Sequence, residues 1–207
     1  NKNKDLRLLY VYEKVNRLCT KAKKLYNCKI QTNYTKIFTD SDVDIIFISS
    51  PTNTHIKFIE EGIKFKKTIF CEKPLDLNIN KIIKTFKKIK KFKPKIQLGF
   101  NRRYDPGHFS IKQDLKSNKI GKLEKIIITS RDPAPPSISY LKASGGLFRD
   151  MMIHDFDICR FYLENDEISE VQAFASSFDK IYKKIDDHEL AVVTMKSKNG
   201  VICVITN

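Results

Sequence analysis

Apolar positions recur with two different periods along this chain, and the arrangement of those periods changes near its middle. Residues 6–12 (LRLLYVY) form a strand-like run closing at Glu13, and Val15, Leu18, Ala22 and Leu25 then fall at helical spacing as far as Asn27. A short strand over 28–32 and a helix over 34–38 follow. Residues 44–49 (DIIFIS) are a near-continuous apolar run, the mark of a strand buried in a parallel sheet. Helix 55–66, strand 68–71 (TIFC), helix 78–92 and strand 95–100 (KIQLGF) continue the alternation. Strands alternating with helices predict an α/β fold, a doubly wound parallel sheet with right-handed crossovers.

Beyond Asn101 the order of elements changes. A helix is expected over 106–117 and a β-branched strand over 124–130. The run Arg131-Asp132-Pro133-Ala134-Pro135-Pro136 is neither helix nor central strand, because three prolines fix φ and remove donors. A helix led by Gly145-Gly146 comes next, then two long strands over 170–178 and 189–196. Lys198-Asn199-Gly200 is a hairpin signal leading into a last strand over 201–206. The expected organisation is a partial doubly wound α/β domain over 1–100 and a partial α+β domain over 101–207. Neither a Gly-x-Gly-x-x-Gly motif nor a βα unit precedes the first strand, and the last strand leaves a sheet edge open. The reading expects a fragment of a longer protein.

Composition narrows the class. Of the 207 residues, 41% are hydrophobic and 30% charged, ordinary for a protein with a real core. No window is long and apolar enough for a membrane helix, and no charged-then-apolar leader opens the chain. The five cysteines (Cys19, Cys28, Cys71, Cys159, Cys203) are odd in number and scattered. That argues against a disulfide framework or a zinc knuckle and for a reducing, cytoplasmic setting. The net charge of +15 comes from lysines spread through every segment. In the densest run, 81–95, Ile82, Ile83, Phe86, Ile89 and Phe92 recur at helical spacing, so its lysines form a solvated helix face rather than a nucleic-acid patch.

Candidate chemistry concentrates in four stretches. Asp150, His154 and Asp157 stand four and three residues apart after Gly145-Gly146, a spacing that gathers them on one helix face. Met151, Ile153, Phe156 and Ile158 surround them, and a buried acid-base-acid stripe is costly unless its members find partners. A single Asp or His on a helix is ordinarily a surface or capping residue; three on one face point to a site. Carboxylates and a histidine one turn apart also suit a metal, though no second His or Cys cluster completes such a set. The other three stretches, Ser49–His55, Glu72-Lys73-Pro74 and Asn101–Asp105, each follow a predicted strand. Ligands of open α/β sheets bind at the carboxyl ends of strands, where these loops gather.

These pieces resemble the glucose–fructose oxidoreductase and inositol dehydrogenase family (Gfo/Idh/MocA). The similarity rests on DVDIIFISSPTNTH, CEKPLDLN, GFNRRYDP, IGKLEKIIITSRDPAPP and GGLFRDMMIHDFDICRFYL, in family order across Asp42–Leu163. The wording of RDPAPP and GGLFRDMMIHDFD looks most like the inositol 2-dehydrogenases of that family. The resemblance implies a Rossmann domain for NAD and an α/β domain that shapes a polyol or sugar pocket, in a homo-oligomer when full length. It makes Lys73, Asp150 and His154 catalytic. It places Ser50, Pro51, Thr52, Asn53, His55, Glu72 and Lys73 along the cofactor, and Glu13 on its adenosine ribose, where a carboxylate favours NAD over NADP. It also leaves Arg103, Asp132, Asp157 and His154 to hold substrate. The implied reaction is oxidation of a secondary ring hydroxyl of inositol or a related cyclic polyol. The alternatives are another sugar dehydrogenase of the family, a biliverdin-reductase-like activity, a metal-dependent hydrolase or isomerase built on the Asp150/His154/Asp157 stripe, and a non-catalytic sugar-binding protein.

Overall fold

A computed structural model of the chain describes residues 4–207. Strand β1 (Tyr10–Tyr12) is followed by α1 (Asn16–Tyr26), β2 (Lys29–Gln31), α2 (Tyr34–Thr39), β3 (Ile45–Ile48), α3 (His55–Lys64), β4 (Thr68–Cys71), α4 (Ile79–Ile89) and β5 (Ile96–Leu98). All pairings among these strands are parallel, β1 with β2 and β3-β4-β5 in that order. This is the alternating βα pattern read from the sequence, and it fills the first of two units, Asn1–Leu98.

Local chemistry sets the ends of these elements. Helix α1 stops at Asn27, whose left-handed backbone (φ 51°) suits the short amide side chain and lets its N–H return to the Lys23 carbonyl. Asn78 opens α4 by accepting from the N–H groups of Asn80 and Lys81 at 3.0 and 3.2 Å. Helix α3 buries Ile59 and Ile63 in one core with Ile69 and Cys71 of β4. It also carries Gly62, where an added Cβ would lie 2.8 Å from Ile69 Cδ1, so the helix sits too close to the strand for any side chain there.

One expectation needs correcting. The DIIFIS run is not buried on both faces: Ile46 and Ile48 enter the core, whereas Ile45 and Phe47 are 48% and 64% exposed. Phe47 stacks on Phe70 of β4, with ring centroids 4.2 Å apart. A continuous apolar run fixes a strand but not whether anything covers its second face.

The second unit, Gly99–Asn207, contains α5 (Pro106–Lys116), β6 (Lys125–Thr129), α6 (Ile138–Ser144), α7 (Met152–Leu163), β7 (Ile168–Ser176), α8 (Lys180–Lys184), β8 (Leu190–Ser197) and β9 (Ile202–Thr206). The sheet runs β6-β9-β8-β7; β6 pairs parallel with β9 and the other pairs are antiparallel. Period-two burial is clean in β8, where Ala191, Val193 and Met195 face inward and Leu190, Val192, Thr194 and Lys196 outward. The inner face packs on α7 through Met152, Cys159 and Leu163 with Ile126, Cys203 and Ile205. Helix α6, absent from the sequence reading, begins directly after the proline run, with Ser137 Oγ accepting from the Tyr140 N–H.

The cysteines differ in access. Cys28, Cys71, Cys159 and Cys203 are buried and only Cys19 is partly exposed. Burial pushes the Cys71 thiol up to about 12. Alkylation of the native protein at pH 8 is therefore expected to label Cys19 first and Cys71 only on unfolding; fast native labelling of Cys71 by peptide mapping would contradict the burial.

Candidate active site

In the first unit the expected cofactor loops are tied down by their own side chains. Ser50 Oγ and Thr54 Oγ1 are 2.5 Å apart, and Thr54 Oγ1 also donates to the Pro51 carbonyl at 2.7 Å, closing the turn that contains Thr52 and Asn53. His55 opens α3 and is 1% exposed. Its Nδ1 lies 2.8 Å from the Pro74 carbonyl and its Nε2 2.7 Å from the Ser50 carbonyl. Both nitrogens face acceptors of the backbone, so neither is left to reach a cofactor. The expectation that His55 touches the cofactor gives way to a different role: the ring ties the Ser50 loop to the Lys73-Pro74 loop.

That second loop leaves β4 through Glu72, whose N–H donates to the Ile48 carbonyl at 2.8 Å. Lys73 is half-buried, its N–H donates to Glu72 Oε2 at 3.3 Å, and the bond to Pro74 is cis. Glu13 stands just past the end of β1, and its Oε1 accepts from the N–H groups of Lys14 and Val15 at 2.7 and 2.9 Å. One of its oxygens thus caps the approach to α1.

The second unit holds the glycine-led segment. It is not one uninterrupted α-helix: Leu147–Met151 is a π-helical turn, and α7 proper begins at Met152. Asp150 lies in the wider turn and accepts from the Tyr140 hydroxyl at 3.0 Å. Burial, together with the hydrogen bond to the Asp150 carboxylate, pushes the Tyr140 phenol up to about 12. His154 lies one turn later, half-buried and edge-on to Phe100 at 6.4 Å between ring centroids. A π turn is a recurrent feature of functional helices, and here it carries a residue of the predicted stripe.

The remaining predicted residues separate. Asp157 is buried and held by Arg103 through two hydrogen bonds, Nε to Oδ2 at 2.7 Å and Nη2 to Oδ1 at 2.6 Å. The Arg103 guanidinium also lies 5.5 Å from the Phe161 ring, and the paired carboxylate raises its pKa further. Arg103 and Asp157, both expected to hold substrate, are paired with each other. Asp132 lies in the exposed proline run.

The sequence reading passed over Asp155. It is fully buried, where it accepts from Arg102 Nη1, from Ser130 Oγ at 2.9 Å and from Asn207 Nδ2 at 3.1 Å. A signal for it was present: Met152, Asp155, Cys159 and Leu163 share a helix face, so an acid occupies a core position. Tyr140 was missed because α6 was missed.

Parallel βα units with loops at the strand ends, followed in the chain by an α+β unit, are the elements of a Rossmann-type fold with a second α+β domain. Residues 1–100 match the model of the oxidoreductase family with an NAD-binding Rossmann fold, and residues 109–207 match the GFO/IDH/MocA C-terminal domain. The chain belongs to the Gfo/Idh/MocA family. It is 36% identical over 205 residues to inositol 2-dehydrogenase of Rhizobium meliloti (strain 1021), covering 99% of this chain and 62% of that protein. A crystal structure of a putative myo-inositol dehydrogenase from Sinorhizobium meliloti 1021 superposes with a TM-score of 0.94 at 36% identity, covering 100% of this chain and 62% of that one. Scyllo-inositol dehydrogenase from Lactobacillus casei, solved with bound cofactor NAD(H) and scyllo-inositol, gives a TM-score of 0.88 at 30% identity, over 99% of this chain and 62% of that one. The chain thus spans less than two thirds of the length of these relatives.

Proposed function

We propose that this chain is part of an NAD-dependent dehydrogenase that oxidises a secondary ring hydroxyl of inositol or a closely related cyclic polyol. The observation that carries the reading is the Asp150–His154 segment: a half-buried imidazole one turn beyond a carboxylate that already accepts a hydroxyl donor, Tyr140. A polyol offers the same kind of donor.

The residues present suit the ribose and nicotinamide end of NAD better than its phosphates. Ser50, Thr52, Asn53 and Glu72 lie on loops at the carboxyl ends of β3 and β4, and Glu13 follows β1 with an acidic group suited to ribose hydroxyls. A glycine-rich phosphate cradle is not among residues 1–207. When bound, NAD supplies the hydride acceptor. The chain's part is the proton: His154 takes it from the hydroxyl as the carbon–oxygen bond becomes a carbonyl, while Lys73 stabilises the developing alkoxide charge. Asp150 orients the reacting hydroxyl and the imidazole. The Arg103–Asp157 pair ties α7 to the segment 101–104. A metal-ligating role for the stripe fits poorly, because both oxygens of Asp157 are taken by a guanidinium.

The outward face of the second sheet, with Ile127 and Phe174 63% and 67% exposed, supports self-association of the full-length enzyme. The free cysteines support a cytoplasmic setting.

The deciding experiment follows NADH absorbance in the full reading frame, offering NAD or NADP with a panel of inositols and aldoses. NADH formation with an inositol, abolished by Lys73→Ala, is the expected result. Turnover of aldoses alone would discard the inositol assignment, and turnover that survives Lys73→Ala would remove the lysine from the chemistry.

A further inference from the structure

The glycine pair before the Asp150–His154 segment needs an explanation, and the loop between β7 and β8 provides one. Asp187 sits in that loop, 8% exposed, forty residues along the chain from the turn it meets. Its Oδ1 accepts from the Leu147 N–H at 3.0 Å, the first residue of the π turn, and from the His188 N–H at 2.8 Å. A helix start leaves N–H groups without intrahelical partners, and the residue before this one, Gly146, has no side chain to cap them. Asp187 caps the segment from outside.

Gly146 is the complement of that carboxylate. Its backbone (φ 77°, ψ −176°) lies where glycine is favoured, and a Cβ there would fall 2.4 Å from Asp187 Oδ1. Any side chain at position 146 would expel the acid. Asp187 is itself held fast: Ser177 Oγ donates to its carbonyl at 2.5 Å, and its N–H donates to the Tyr182 carbonyl at 3.1 Å. The neighbouring His188 ring packs edge-on against Phe148, in the same π turn, at 5.9 Å. Asp187 Oδ2 is buried with no hydrogen-bond partner among the described residues. A carboxylate kept in so poorly solvated a place costs stability, which its value to Leu147 must offset.

We infer that Asp187 is a positioning residue of the site: its carboxylate seats the Gly146–Leu147 turn and thereby sets where Asp150 and His154 point. This deepens the proposed dehydrogenase reading and rests on it for the meaning of the two aimed residues. A rigid cap matters because a misplacement of about 1 Å at reacting groups costs on the order of 10²-fold in rate.

The test compares Asp187→Ala with Asp187→Asn, which keeps an acceptor oxygen. It reads amide exchange over 147–152, the NMR signals of the His154 ring, and kcat and KM of the full-length enzyme. Asp187→Ala is expected to speed exchange at Leu147 by about tenfold or more, consistent with loss of one charged acceptor. It should also move the His154 signals and lower kcat with NAD affinity unchanged; Asp187→Asn should restore most of each. Unmoved His154 signals in Asp187→Ala, or an Asp187→Asn variant as impaired as the alanine, overturns the inference. If the wild-type enzyme oxidises no polyol, the dehydrogenase reading fails by itself, and exchange and ring signals still decide whether Asp187 seats the turn.

Discussion

His154→Ala is expected to lower the turnover of the full-length enzyme by about 10²–10⁴-fold, the usual cost of losing a general base. The substitution removes the imidazole from a half-buried position beside Phe100 and leaves the carboxylates on either side of it. Met152, Ile158 and Cys159 anchor α7 in the core, so the helix has no reason to leave its place. The loss should therefore fall on kcat. NAD binding, followed by nicotinamide or protein fluorescence, should remain near wild type because the expected cofactor residues belong to the first unit. The limb of the pH–rate profile that a histidine base generates should vanish with the ring. Turnover within a few-fold of wild type would exclude His154 as the base and pass that role to another group, with Lys73 the first candidate.

How well the sequence foretold this site depends on the distance over which each feature is determined. Helix α4 was legible because its lysines and isoleucines segregate within eleven residues, and β8 because its alternation is complete within eight. The glycines, Asp150 and His154 stand out as a group because they lie in one short stretch of sequence. Partners far along the chain do not. Arg103 reads in the sequence either as a substrate group or as an ordinary salt-bridge partner, and only the fold shows that it pairs with Asp157, 54 residues away. His55 looked like a loop residue facing a ligand; its two acceptors are carbonyls 5 and 19 residues away. Helix α6 went unseen because the prolines before it end one pattern without announcing the next. Periodicity reports which face a residue occupies. It does not report what that face meets.

Arg102→Met is expected to destabilise the second unit by about 3–5 kcal/mol, the range for breaking a buried ion pair from one side. Asp155 is fully buried, while the Arg102 side chain is 33% exposed. Removing the arginine strands a carboxylate that cannot reach water, with only the neutral donors Ser130 and Asn207 left to it. Removing the acid is different, because a partly exposed guanidinium can recover hydration. Asp155→Asn should thus cost less than Arg102→Met, and this order separates a desolvation effect from a simple lost contact. The double variant Arg102→Met/Asp155→Leu should recover part of the loss, since no charge remains buried. Recovery should stay incomplete because the Ser130 hydroxyl and the Asn207 amide lose their acceptor. Urea unfolding of these proteins together with the single variant Asp155→Leu closes the double-mutant cycle and measures the coupling directly. A change of less than about 1 kcal/mol in Arg102→Met would mean that the Asp155 carboxylate is solvated or neutralised by another route. The expected result instead makes Asp155 the clamp joining Arg102, the end of β6, the end of β9 and the helix that presents His154.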